Sequence, residues 1–217
     1  MAVANGTSAL HLAYPNTFAA TSNMMLAVGA KPVFCDIRPD TCNIDEEKIK
    51  KLVTAKTKAI VPVHFAGQPC EMKKIKAIAD KYKLLIIEDA CHAPGAKYKK
   101  GKIGNCLYSD MAVFSFHPIK PITTSEGGAV LINNKKYYEK LISLRSHGIH
   151  KDKKGKNIMV EMGYNYRMTD IQAALGISQL KKLDKFIKAR RQIVGWYKKE
   201  LENIKEIILP QELPRNY

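Results

Sequence analysis

The stretch Leu84-Leu-Ile-Ile-Glu-Asp89 decides how the rest of the chain is read. Four aliphatic side chains in a row end on two carboxylic acids. Strict alternation would mark a strand with one wet face. A short continuous apolar run reads instead as a strand covered on both faces, as in a parallel sheet. In open α/β sheets, ligands bind beyond the carboxyl ends of the strands. Glu88 and Asp89 therefore stand at the mouth of an apolar layer, where an acid is available for chemistry.

Neighbouring stretches fit the same plan. Pro32–Ile37, Lys58–His64, Met111–Phe116 and Gly128–Asn133 are further apolar runs that read as strands. Between them, Met72, Ile75, Ile78, Ala79 and Tyr82 recur at helical spacing, and Asp45–Val53 makes a shorter helix. Thr17–Val28 is another, ended by Gly29 as a left-handed cap. The pattern predicts an α/β fold, a mostly parallel sheet flanked by helices. After about residue 165, Thr169 is placed to cap a helix carrying Ile171, Ala174 and Leu175. A second helix carries Leu183, Ile187, Val194, Tyr197 and Leu201 and is expected to end near Pro210. No internal repeat or linker is visible. One junction breaks the pattern: the helix Thr7–Leu12 runs almost directly into Pro15-Asn-Thr17, which opens the next. A βαβ unit needs a strand between such helices, and the two intervening residues do not hold one.

Composition excludes several classes. The chain has 217 residues, 46% hydrophobic and 26% charged, which suits one globular domain or a little more. No apolar run reaches membrane-spanning length, and no secretory leader is read at the start. Five cysteines at irregular spacing, without a Cys-x-x-Cys pair, point to reduced thiols in the cytoplasm rather than a disulfide framework or a metal site. The net charge of +16 admits nucleic acid, an anionic membrane surface or a phosphorylated small molecule. Of 36 basic residues only six are Arg. The Lys clusters 97–102 and 151–156 lie beside glycines and read as solvated loops. No aromatic-interleaved basic stripe accompanies them, so neither nucleic acid nor a membrane is expected as partner.

Other polar residues sit at expected strand and helix ends. Ser115, His117 and Lys120 follow one strand in Phe114-Ser-Phe-His-Pro-Ile-Lys120. Asn5-Gly-Thr-Ser8 opens a helix, where free N–H groups and the helix dipole can hold a phosphate. A phosphate cradle, an acid and a lysine at strand ends are what pyridoxal phosphate requires. Its aldehyde needs an amine, its ring nitrogen a carboxylate and its phosphate hydroxyl and amide donors. Taken singly, each has a plainer reading. Asp89 suits a helix cap or a metal ligand, Ser115 a backbone partner, and Gly6-Thr-Ser8 an ordinary cap.

Nine ordered stretches resemble the DegT/StrS family of pyridoxal-phosphate-dependent sugar aminotransferases. They are Asn5–Leu12, Pro15–Phe18, Gly29–Phe34, Val63–Gln68, Glu88–His92, Phe114–Lys120, Glu126–Gly128, Arg145–Gly148 and Gly163–Asp170. The resemblance implies a fold type I large domain. It implies that Lys120 bonds the cofactor aldehyde and then acts as general acid–base, and that Asp89 pairs with the pyridinium nitrogen. Phe18 would stack on the ring, with a core aromatic as its plainer role. Thr7, Ser8 and Ser115 would bind the phosphate. His92 would pack beside the cofactor, with a buried hydrogen-bonded His as the alternative. Asn165 would reach the phosphate of a partner subunit, implying a homodimer with shared sites. His117, Tyr166 and Arg167 are further candidates for substrate contact. A dehydratase branch of the family carries His in place of the lysine, so Lys120 favours transamination. His117-Pro-Ile-Lys-Pro-Ile-Thr-Thr124 looks most like the branch that aminates C4 of a UDP-linked 4-keto-6-deoxy N-acetyl sugar in pseudaminic-acid synthesis, with glutamate as expected donor.

Set against the family pattern, residues 1–180 are expected to form an incomplete cofactor-binding domain, lacking an N-terminal segment and one internal strand. Residues 181–217 would be a helix leading to a small domain absent here. The expectation is therefore a cytoplasmic aminotransferase or an inactive or split form of one, with a basic nucleic-acid-binding protein as the remote alternative.

Overall fold

A computed structural model describes residues 1–3, 19–99, 101–209 and 211–213. The expected helix Thr7–Leu12, the junction after it, and Thr7, Ser8 and Phe18 lie outside the described residues.

Five strands form one sheet: β1 (Ala2–Val3), β2 (Ala59–Ile60), β3 (Leu85–Asp89), β6 (Met111–Ser115) and β7 (Gly128–Ile132), in the order β1-β7-β6-β3-β2. β2, β3 and β6 run parallel, whereas β7 pairs antiparallel with both β6 and β1. The α/β class with flanking helices holds, and the described sheet is mixed. Two hairpins stand apart, β4 (Lys97–Tyr98) with β5 (Gly101–Lys102), and β8 (Ile149–Lys151) with β9 (Asn157–Met159). They carry the two lysine clusters.

Helices cover both faces. On one side lie α2 (Glu46–Leu52) and α3 (Met72–Tyr82), whose Ile49, Met72, Ile75 and Ile78 pack on Ile60, Ile86 and Ala112. On the other lie α1 (Ala19–Ala27) and α4 (Lys135–Arg145), whose Met24, Met25 and Leu141 pack on Val61, Ile87 and Val113. Strand residues alternate between the two clusters, as a pleated strand requires. Local chemistry sets the helix ends. Asp45 Oδ1 accepts the Glu47 N–H at 3.0 Å to start α2. Gly29, at φ 76°, closes α1 with its N–H on Leu26 O at 2.9 Å.

Two expectations shift. The Lys58–His64 run pairs as a strand only at Ala59–Ile60, with one further bridge between Val63 and Asp89. Pro62 intervenes, and a residue without an N–H cannot continue the ladder. Pro32–Ile37 is not a strand: Ile37 makes a single bridge with Ile44, and a cavity separates the run from β2.

Helices α5 (Asp170–Leu180) and α6 (Leu183–Leu201) complete the described chain. Thr169 and Gln172 form a capping box, each side chain accepting the other's backbone N–H, at 3.3 and 3.0 Å. α6 stops at Leu201, short of Pro210, because turns onto Leu201 O and Ile204 O take over.

Candidate active site

The carboxyl ends of β3 and β6 carry the chemistry. Asp89 closes β3, and its backbone is pinned by the neighbouring strand. Its N–H donates to Pro62 O at 2.9 Å, and its carbonyl accepts from His64 N–H at 3.1 Å. The side chain is buried, 3% exposed. Oδ2 accepts the Thr21 hydroxyl at 3.2 Å, and Oδ1 accepts the Cys91 N–H at 3.1 Å. A carboxylate has about four acceptor positions, so these two bonds orient the group and leave capacity for a ligand's N–H.

Glu88, one residue earlier, faces the opposite helical layer, where each of its oxygens has a partner. Its Oε2 lies 2.7 Å from His64 Nε2, and the Ser109 hydroxyl donates to Oε1. His64 Nδ1 accepts the Cys70 N–H at 3.1 Å, which places the ring proton on Nε2 and makes that nitrogen the donor to Glu88. Adjacent acids thus have separate tasks: Glu88 ties the strand to the loop below it, and Asp89 presents acceptors at the strand end.

Ser115 closes β6 and is buried, with Oγ accepting the His117 N–H at 3.4 Å. The loop that follows folds back on itself. Phe116 N–H bonds Gly127 O at 2.8 Å, Thr124 N–H bonds Phe116 O at 2.9 Å, and Lys120 N–H bonds His117 O at 2.9 Å. Gly127 is required, because a Cβ there would lie 2.0 Å from Thr124 Oγ1. Lys120 is half-buried at the tip. Its ammonium depresses the His92 imidazole, second to burial, and opposes the rise that burial imposes on the Cys91 thiol. Lys120 thus acts electrostatically on residues 91–92, directly after Asp89.

His92 is fixed from the other side. Its Nδ1 accepts the Ala66 N–H at 3.3 Å, and its ring meets Phe65 edge-on with centroids 6.1 Å apart. The turn Phe65–Gly67 approaches so closely that a Cβ on Gly67, at φ 90°, would stand 3.1 Å from His92 O. A cavity of about 320 Å³ adjoins Lys120, lined also by Thr123, Gln179 and Arg190.

Asp89 and Ser115 thus end two neighbouring parallel strands, with His92 just after the first and Lys120 in the loop after the second. The segment with Asn165, Tyr166 and Arg167 reaches the same side of the sheet: Tyr164 and Tyr166 stack at 4.8 Å and pack on the cluster containing Ile87 and Val113. Asn165 bridges Ser146, and Asn165 and Arg167 are exposed. His117 is partly exposed, 3.9 Å from Glu126. Sequence reasoning missed Thr21 and the His64–Glu88–Ser109 group. Thr21 gives no local signal in the sequence, because its partner lies 68 residues away.

The donor set suits pyridoxal phosphate: an oriented buried carboxylate with acceptor capacity, a strand-end hydroxyl and a lysine in the loop that follows it. Among the described residues there is no cluster of three or more metal-ligating side chains, and no helix long and apolar enough to cross a membrane.

Known proteins resemble the chain along most of its length. Residues 1–216 match the model of the DegT/DnrJ/EryC1/StrS aminotransferase family. A UDP-4-amino-4,6-dideoxy-N-acetyl-β-L-altrosamine transaminase of Campylobacter jejuni (strain 81-176) is 48% identical over 214 residues, covering 91% of this chain and 56% of that protein. A GDP-perosamine synthase of Caulobacter vibrioides is 41% identical over 217 residues, with 92% and 57% coverage. The solved structure of Helicobacter pylori PseC, described as an aminotransferase in pseudaminic-acid biosynthesis, superposes with a TM-score of 0.89 at 36% identity, covering 94% of this chain and 59% of that one. The chain thus spans a little over half the length of these relatives.

Proposed function

The chain belongs to the DegT/DnrJ/EryC1/StrS aminotransferase family, whose members are pyridoxal-phosphate-dependent, and from that premise we propose that it serves in amination of C4 of a UDP-linked 4-keto-6-deoxy sugar. The placement of Asp89 and Ser115 at the ends of two neighbouring parallel strands, with Lys120 in the loop after the second, supports the reading. Glutamate is the proposed amino donor, and pseudaminic acid or a related surface glycan the destination.

Pyridoxal phosphate, when bound, supplies a carbonyl to carry the amino group and a ring to take up electrons. Asp89 would hold the proton on the ring nitrogen, its carboxylate aimed by Thr21 and Cys91. Lys120 would bond the aldehyde carbon and move the proton at the α-carbon of the donor, through an amine held by its looped backbone. Ser115 would donate to the phosphate, with Thr7 and Ser8 as the remaining donors and Phe18 as the stacking ring. His92 would exclude water beside the ring; His117, Tyr166 and Arg167 would meet substrate.

We propose further that two copies share their sites through Asn165. The exposed Ile171, Leu175, Ile193 and Trp196 of α5 and α6 support an apolar contact. Residues 1–180 would then be the cofactor-binding part and 181–217 the lead into a further domain, in a cytoplasmic protein.

The test is visible absorbance of the full chain after reconstitution with pyridoxal phosphate, compared with Lys120→Ala. A Lys120-dependent band is expected, and its absence would overturn the cofactor site. Turnover of the keto sugar is measured separately. A chain that shows the band without turnover supports the second reading, that activity needs segments beyond the 56% of a relative's length present here.

A further inference from the structure

Asp89 and His92 hang from one segment, residues 63–67, whose centre is His64. That histidine is fully buried and holds the end of β3 by two groups. Its backbone N–H donates to Asp89 O at 3.1 Å. Its ring Nε2–H donates to Glu88 Oε2 at 2.7 Å, so backbone and side chain grip adjacent residues of one strand. The other ring nitrogen accepts the Cys70 N–H at 3.1 Å, which fixes the plane of the ring. His64 also opens the turn Phe65–Gly67, its carbonyl accepting the Gly67 N–H at 3.1 Å. Within that turn the Ala66 N–H donates to His92 Nδ1 at 3.3 Å. Buried Asn43 clamps the turn at both ends: its Oδ1 accepts the Phe65 N–H at 2.9 Å, and its Nδ2 donates to Gln68 O at 2.8 Å.

Glu88 is 3% exposed, so its carboxylate relies on protein donors, His64 on Oε2 and Ser109 on Oε1. Taking a donor from a buried carboxylate costs more than an average hydrogen bond, because the charge is left poorly solvated. Glu88 and Asp89 share a peptide unit and point to opposite faces of β3. A rotation of that unit that carries Glu88 toward another donor swings the Asp89 carboxylate out of line with the Thr21 hydroxyl and the Cys91 N–H. The far face of the sheet therefore sets the aim of Asp89 together with its own face.

We propose that His64 is a positioning residue of the cofactor site, acting through Glu88 to aim the Asp89 carboxylate at the ring nitrogen. The inference rests on the reading of Asp89 as a partner of pyridoxal phosphate. An imidazole that donates from one nitrogen and accepts at the other satisfies the acid and the loop backbone together.

Two substitutions separate the two bonds of the ring. Glutamine places an amide N–H near the position of Nε2, and asparagine places its oxygen near that of Nδ1. Cofactor binding to the full chain is titrated by the Lys120-dependent visible band, and the bands are then compared at saturating pyridoxal phosphate. His64→Asn is expected to weaken binding by about tenfold or more and to displace the band, because a ring nitrogen without an aimed carboxylate holds its proton less well. His64→Gln is expected to stay within about threefold of the wild type, with the band in place. A histidine that merely supports the fold would change the amount of complex and leave the spectrum of the complex unmoved. Ser109→Ala takes the other donor from Glu88 and is expected to displace the band as well, which decides the matter if His64→Asn does not fold. An unmoved band in His64→Asn, or in Ser109→Ala where His64→Asn does not fold, would overturn the proposal, as would equal displacement by His64→Asn and His64→Gln. Absence of the Lys120-dependent band from the wild-type chain would overturn the cofactor reading itself, and the proposal with it.

Discussion

Strand β6 and helix α6 are both rich in large apolar side chains, and they meet opposite fates. Every residue of β6 is buried, whereas α6 buries none, leaving Ile193, Val194 and Trp196 open to water. Helices packed on both faces of the sheet close β6 within this chain, so its environment is complete. α6 has an amphipathic pattern that is only partly matched among the described residues: Leu183 and Ile187 rest beside Gly95, and the apolar residues further along the helix are left uncovered. Apolar periodicity therefore identifies a face that needs covering, and only tertiary structure tells whether the same chain covers it.

Substitutions can break or sharpen that contrast. The largest effect is expected in the closed layer. Val113 is fully buried in the middle of β6, and Val113→Asp would strand a charge there, costing about 3–5 kcal/mol and abolishing cooperative urea unfolding. Thr21→Val keeps shape but removes the donor to Asp89 Oδ2. A loss of about 1–2 kcal/mol in the unfolding free energy measured with urea is expected, with weaker pyridoxal phosphate binding because the carboxylate is no longer aimed.

Acidification probes the same layer more gently. Burial, and then the Lys120 charge, hold the His92 imidazole below its ordinary value of 6.5. The unfolded chain therefore takes up this proton at a higher pH than the folded chain. Stability from this group is retained above pH 6.5 and lost as pH falls through the lower folded value. Urea unfolding on either side of pH 6.5 measures the loss, and His92→Gln should flatten it. The smallest effect belongs to the open helix. Trp196→Ser should change stability by less than about 0.5 kcal/mol while reducing the binding of an apolar dye.

The sequence made some features readable because their causes are local. The runs that became β3, β6 and β7, the Thr169 cap and the Gly29 terminus all follow from residues adjacent in the chain. Asp89 and Lys120 stand out in the sequence because each follows or ends an apolar run that reads as a strand. The remainder depends on distant partners. Pro32–Ile37 has strand composition, yet a strand needs a ladder, and β2 lies across a cavity from it. Thr21 is 68 residues from Asp89, so nothing near it in the chain announces their hydrogen bond. The antiparallel β7 was likewise hidden, since an apolar run carries no direction.

The adjacent acids of β3 give the strand a form of error detection. Because successive side chains point to opposite faces, a slip of one residue would exchange them. Asp89 would be carried toward His64 and Ser109, one methylene short of them, and the longer Glu88 would be thrust at Thr21. Both polar groups would lose their partners together, in a layer where neither can recruit water. A misaligned β3 is thus penalised on both faces of the sheet at once, and the frame of this strand is checked by the same acid that serves the site.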